Sequence, residues 1–186
     1  TPSQILNANG QPVLALSNDL GAHNDDIEEN SIAVIRIHGP IMKEDGWCTK
    51  GIKTVASELN WAANHPRITG IMLHSNSGGG AANACDVGRD AVLGAKAKKP
   101  VLNFVEDYDC SAMLYISAAS NETYASNKRD TIGSIGTMLS FMDPQGYYEA
   151  KGYKFHEMYS SKSKLKNKKF RDARKGDYKA IIKEVL

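Results

Sequence analysis

The stretch Ile68-Thr69-Gly70-Ile71-Met72-Leu73-His74-Ser75-Asn76-Ser77-Gly78-Gly79-Gly80 decides the fold. Its first half reads as a mostly buried strand, and the strand runs directly into three glycines. From about Ala82 to Ala97 the pattern turns helical. The same grammar extends outward in both directions. Upstream, the β-branched run Ile32-Ala33-Val34-Ile35-Arg36-Ile37 closes at Gly39-Pro40 and reads as another buried strand. Ile52, Val55, Leu59 and Ala62 then recur at helical spacing until Pro66 stops the helix. Downstream, Lys99-Pro100 restarts a strand at 101–105, a helix is expected over 111–119, and short strands at 122–125 and 134–141. Asp143 is a plausible N-cap for a helix to Lys151, with Pro144 at its first position. A strand over 153–159 and a helical tail from Asp177 to Leu186 complete the reading. Alternating strands and helices predict an α/β protein with a largely parallel sheet.

The chain has 186 residues, enough for one domain with a sizeable core, and residues 31–186 are read as that domain. Residues 1–30, rich in Asn, Asp and Gly, are expected to form a polar, mobile arm. A net charge of +2 says little about partners, but its distribution is uneven. Asp19, Asp25, Asp26, Glu28 and Glu29 are acidic with only His23 between them. The segment 162–179 carries nine Lys or Arg against Asp172 and Asp177. Cys48, Cys85 and Cys110 make no closed disulfide set and no CxxC pair, which fits a reducing compartment and a cytoplasmic protein. No segment is apolar enough to span a membrane. The chain opens Thr1-Pro2-Ser3, without Met, a basic leader or an apolar leader. This is the look of a trimmed or processed product, and an anchor lost beforehand stays open.

Three constellations bear on chemistry. Gly78-Gly79-Gly80, at a strand end before a helix, reads either as a tight turn or as a loop whose N–H groups face a developing oxyanion. The spacings of phosphate-binding glycine loops are absent. Ser111 opens a helix just after a strand. It reads either as an N-cap or as a nucleophile with the next amide, that of Ala112, as oxyanion donor. Cys110 is a rival nucleophile, although a cysteine closing a buried segment is more often core. For a base, the histidines at 23, 38, 65, 74 and 156 show no metal-ligand spacing, and only His156 is a candidate. Lys162, Lys164 and Lys166 are the others, since a lysine acts as a base only when burial depresses its pKa. By composition alone the lysine run is a solvated face.

Taken together, five segments resemble the signal peptide peptidase A family of Ser/Lys-dyad serine peptidases, which have the Clp protease/crotonase fold. Residues 32–41 resemble its opening strand. Residues 70–80 resemble its strand leading to Ser-Pro-Gly-Gly, with Gly78 in place of the proline. Lys99-Pro100-Val101 followed by Cys110-Ser111-Ala112 is similar to its nucleophile region. Ile132-Gly133-Ser134-Ile135-Gly136 is similar to its Ile-Gly-Ser-Ile-Gly, and Tyr159-Ser160-Ser161-Lys162-Ser163-Lys164 to its Tyr-Ser-Gly-x-x-Lys. The order is unbroken over roughly residues 31–170. Ser111-Ala112-Met113-Leu114 departs from the family's usual Ser-Gly-Gly-Tyr and is nearer the branch found in capsid-maturation peptidases of tailed phages and prophages. Ser161 stands where the family has glycine.

The resemblance implies repeated β-β-α units around a largely parallel sheet, and peptide-bond hydrolysis through an acyl-enzyme. It implies Ser111 as nucleophile, Lys164 as general base, and Ser134 as the residue orienting that lysine. Gly79, Gly80 and Ala112 are the implied oxyanion donors. No cofactor or metal is implied. Expected substrates are extended polypeptides such as phage head proteins or signal-peptide remnants. A homo-oligomeric ring is expected, with a site shared between subunits. Three rival readings stand beside this one: an inactive scaffold of the same fold, a crotonase-like acyl-CoA enzyme, and a nucleic-acid contact through residues 162–179. No specific nucleic-acid partner is expected.

Overall fold

A computed structural model describes residues 2–16, 27–47 and 49–185. The expectations for Asp19, His23, Asp25, Asp26 and Cys48 lie outside the described residues. The backbone divides into two compact units, residues 1–135 and 136–186.

In the first unit the strands are β1 (Gln4–Leu6), β2 (Pro12–Ala15), β3 (Ser31–His38), β4 (Ile68–Ser77), β5 (Val101–Cys110), β6 (Glu122–Ala125) and β7 (Thr131–Gly133). They form one seven-stranded sheet in the order β2-β1-β3-β4-β5-β6, with β7 pairing the far half of β5. All pairings from β3 onward are parallel, while β1 runs antiparallel to both neighbours. The fold is therefore α/β with a largely parallel sheet. In chain order three strands precede the first helix, Ile52–Asn64, single strands then alternate with helices, and β6 and β7 together precede the helix Gln145–Ala150.

Helices α1 (Ile52–Asn64), α2 (Ala82–Lys96) and α3 (Ala112–Ser117) cross over between the parallel strands. Ile52, Val55, Leu59 and Ala62 of α1 form the buried stripe read from their spacing. They pack in one core with Ala33, Ile35 and Ile37 of β3, Ile71 and Leu73 of β4, and Met113 and Ile116 of α3. On the other face Ile32 of β3, Leu102 of β5 and Tyr124 of β6 stay exposed, while Val34 of β3 is buried. The start of α1 is fastened by Asp45, whose carboxylate accepts hydrogen bonds from the Gly51 amide (2.6 Å) and the Thr54 hydroxyl (2.8 Å). Its end is closed by Lys99, which donates to the carbonyls of Ala62 (2.8 Å) and His65.

Three expectations need correction. Residues 4–15, read as part of a polar arm, instead form the hairpin β1–β2 at the sheet edge, because Ile5 and Leu16 bury fully against the core. A polar hydrogen-bond cluster also holds this hairpin. Ser3 donates to Glu58 (2.8 Å), Lys50 pairs with Glu58 at 2.6 Å, and the Arg36 amide donates to Ser3 (3.0 Å). The strands expected at 134–141 and 153–159 are absent. Alternation alone does not make a strand; a neighbouring backbone must accept and donate its ladder. These segments have none, and Ile135, Met138 and Met158 stand 90%, 86% and 91% exposed.

The second unit contains α4 (Gln145–Ala150), α5 (Lys168–Ala173) and α6 (Lys179–Val185). Pro144, not Asp143, occupies the cap position of α4, and the Asp143 carboxylate accepts the Gln145 amide at 3.1 Å. Among the described residues no helix is long and apolar enough to cross a membrane.

Candidate active site

β5 ends at Cys110 and α3 begins at Ala112, so Ser111 alone makes the turn between them. Its backbone sits at φ 55°, ψ −119°, a region that residues with a Cβ rarely enter. Two hydrogen bonds hold it there. The Ser111 amide donates to the Gly133 carbonyl at the end of β7 (2.9 Å), and its carbonyl accepts from Tyr115 in α3 (3.0 Å). Among the described residues the Ser111 hydroxyl has no hydrogen-bond partner, so it is available for chemistry. The Ala112 amide opens α3 and belongs to the first turn, whose N–H groups lack intrahelical acceptors.

The glycine loop faces this turn. A Cβ on Gly79, which adopts φ +103°, would lie 2.5 Å from Cβ of Ser111 and 3.0 Å from its Oγ. A Cβ on Gly80 would lie 2.1 Å from the Ile41 carbonyl oxygen, whereas one on Gly78 would meet nothing. Two of the three glycines are thus required by close approach. The loop is stapled to residue 41: the Ile41 amide donates to Gly79 (2.9 Å), and the Ala81 amide donates to Ile41 (2.8 Å). Because those bonds point toward Ile41, the intervening Gly80 N–H points the opposite way, the side on which β4 meets β5. The Gly79 N–H is already engaged, donating to the Ser77 hydroxyl at 3.1 Å. Of the two glycine amides expected as oxyanion donors, only that of Gly80 has no acceptor among the described residues.

Behind the serine lies a buried polar chain that sequence reading missed. The Asp109 side chain is fully buried. Its Oδ2 accepts from Asn103 Nδ2 (2.8 Å) and from the Ser117 hydroxyl (2.8 Å), and Ser75 donates to Asn103 Oδ1 (2.9 Å). Asp109 Oδ1 has no partner among the described residues. Burial pushes the Asp109 carboxyl above its ordinary range, opposed by the hydrogen bonds from Ser117 and Asn103. Ser75 and Asn103 occupy core-facing strand positions where alternation calls for apolar residues, and that was the available signal.

Cys110 is buried, and its thiol lies against the Thr131 carbonyl at 3.3 Å, which places the rival nucleophile in the core. Ser134 is exposed at φ 54° in the first unit. His156, Lys162, Lys164 and Lys166 are all exposed in the second unit, where the Lys164 carbonyl accepts from Arg171 at 2.6 Å. A cleft of about 780 Å³ lined by Asp107, Tyr108 and residues 127–131 does not include Ser111.

A second missed cluster joins three strands. His38, His74 and Glu106 bring their ligand-type atoms within 4.8 Å of one another. Burial first, then the neighbouring positive charge of Arg36, holds the His74 imidazole below the usual histidine range. For His38 the sequence is burial, His74, then Arg36.

The fold and the turn define a class, α/β proteins that carry a serine on a strained strand-to-helix elbow against a glycine loop. The model of Peptidase family S49 matches residues 94–186, half of the sequence. The chain belongs to that family. It is 30% identical over 148 residues to the head-tail preconnector protein GP5 of Enterobacteria phage P21, spanning 76% of this chain and 29% of that protein. It is 29% identical over 143 residues to capsid assembly protease C of Escherichia phage lambda, spanning 73% of this chain and 32% of that protein. The chain thus spans about a third or less of these curated relatives. A ClpP1 mutant from Listeria monocytogenes is similar in structure at TM-score 0.42 and 21% identity, over 64% of this chain and 62% of that one.

Proposed function

We propose that this chain is a serine endopeptidase working through a Ser/Lys dyad. The observation that carries the reading is the strained Ser111 elbow, its hydroxyl unpartnered among the described residues and the Gly79 backbone packed against it. Ser111 Oγ attacks the scissile carbonyl carbon while its proton passes to neutral Lys164. The Gly80 and Ala112 amides hold the oxyanion, the Gly79 amide being engaged by Ser77. The C–N bond breaks, Lys164 returns the proton to the leaving amine, and water then hydrolyses the acyl-serine. Ser134 orients the lysine. The substrates are extended polypeptides, and the two phage relatives favour proteins of the phage head, with signal-peptide remnants the other class.

Lys164 is exposed in the chain taken singly. A solvated ammonium is no base, so the reading requires a second subunit to cover it. A homo-oligomeric ring with shared sites meets that requirement. The same exposure favours the rival reading, a scaffold that never completes its dyad. Intact-mass analysis after fluorophosphonate treatment separates the two. Peptidase chemistry gives one adduct on the wild type and none on Ser111→Ala. Absence of any adduct on an assembled, folded wild type supports the scaffold, and an adduct that survives in Ser111→Ala moves the nucleophile elsewhere.

A further inference from the structure

The geometry points to a binding site for a divalent transition metal of the zinc class at His38, His74 and Glu106, on the sheet face turned away from the helices. Strand register builds it. His74 pairs with Arg36 of β3 and with Phe104 of β5. His38 lies two residues beyond Arg36, and Glu106 two beyond Phe104, so all three side chains project from the same face. Their ligand atoms converge within 4.8 Å, and His74 Nε2 stands 2.8 Å from a Glu106 oxygen. The two imidazole rings meet edge to face, centroids 4.6 Å apart.

His74 Nε2 and Glu106 stand at ion-pair distance, and that pair leaves out His38, whose ring meets the His74 ring edge to face. One ion held between the three groups engages all of them. Metal bonds of about 2.0–2.2 Å to histidine nitrogen and carboxylate oxygen put neighbouring ligand atoms roughly 3–3.5 Å apart. Small side-chain rotations bring the three groups to that spacing. Two imidazoles with one carboxylate select zinc-class ions over magnesium or calcium, which prefer oxygen donors. Arg36 works against the site. Its charge lies on the same face, and its buried Nε has no hydrogen-bond partner among the described residues.

Occupancy would tie the end of β3 to β4 and β5. The residue after His38, Gly39, donates its amide to the Asn76 carbonyl, and Ile41 staples the glycine loop. The site therefore lies two hydrogen-bonded steps from the oxyanion loop, without belonging to the serine chemistry.

The test uses tag-free full chain and zinc, with no activity measurement. After dialysis against Zn²⁺ the protein should retain it stoichiometrically, and Co²⁺ should give the intense visible bands of a low-coordinate site. Glu106→Gln should lose roughly tenfold or more in affinity, His74→Ala should lose binding, and Arg36→Met should tighten it. If His74→Ala does not fold, His38→Gln, at an exposed position, serves in its place and should also lose binding. No retention by wild type, or unchanged retention in the folded histidine variant, overturns the site. Equal retention of Mg²⁺ would also overturn it as a zinc-class site.

Discussion

A methyl group on Gly79 would lie 2.5 Å from Cβ of Ser111 while forcing an L residue to φ +103°. Gly79→Ala should therefore cost at least about 1–3 kcal/mol from backbone strain, and should slow fluorophosphonate labelling by displacing the elbow. Thermal melts and labelling rates check both parts. Asp109 offers a second test at this scale. Burial raises its carboxyl in the folded chain, so between the ordinary aspartate pKa and the raised one the folded state holds a proton that the unfolded state has released. That contribution is fully present below the ordinary aspartate pKa and is lost as pH rises through the raised one. Asp109→Asn keeps an acceptor for Asn103 and Ser117 and should flatten this decline, gaining stability relative to wild type at neutral pH. Asp109→Ala should lose about 1–3 kcal/mol for each donor left unpaired. Denaturant melts across the pH range report both. At this scale the sequence placed Ser111 and the glycines at strand ends, where the structure has them, because chain order sets those positions. It did not disclose Asp109 or the histidine cluster, whose partners lie on other strands and depend on register.

The sheet was legible where the chain pairs with itself in parallel. β3, β4 and β6 lie close to where patterning put them, and α1 starts and stops within two residues of expectation, but β5 runs five residues past the expected 101–105 and β7 was not expected. The hairpin β1–β2 was hidden because only Ile5 and Leu16 are driven inward among many polar neighbours. The Ser3–Lys50–Glu58 cluster that helps hold it spans 55 residues of sequence. Breaking that cluster tests the element. Glu58 is almost wholly buried, and Lys50 keeps about a quarter of its side chain exposed. Lys50→Met should then cost on the order of 2 kcal/mol, below the roughly 3–5 kcal/mol typical of a fully buried pair. Adding Glu58→Leu should recover part of the loss, measured as a double-mutant cycle in urea. The segments 134–141 and 153–159 were misread for the opposite reason, since their alternation is real but has no ladder in a single chain.

In the second unit, apolar side chains including Met138, Met142 and Met158 face solvent. Patches of that kind mark association surfaces, and they accord with the proposal that subunits complete one another's sites. Mixing Ser111→Ala with Lys164→Ala, under conditions where native mass spectrometry shows subunit exchange, should restore part of the peptidase activity that each lacks. Exchange without recovery would place the dyad within one chain. Dilution below the assembly threshold should lower specific activity for the same reason.

The elbow at Ser111 also means that this chain carries its proposed nucleophile at a thermodynamic loss. At φ 55°, ψ −119°, glycine rests where serine is strained, so Ser111→Gly should outlast Ser111→Ala on heating by roughly 0.5–2 kcal/mol. Selection for robustness and selection for reactivity pull this one position in opposite directions. A lineage that abandoned catalysis would be free to relax there, and glycine at 111 would be the fossil of that change. For the experimentalist, the same substitution supplies a sturdier inert form for trapping an uncleaved polypeptide.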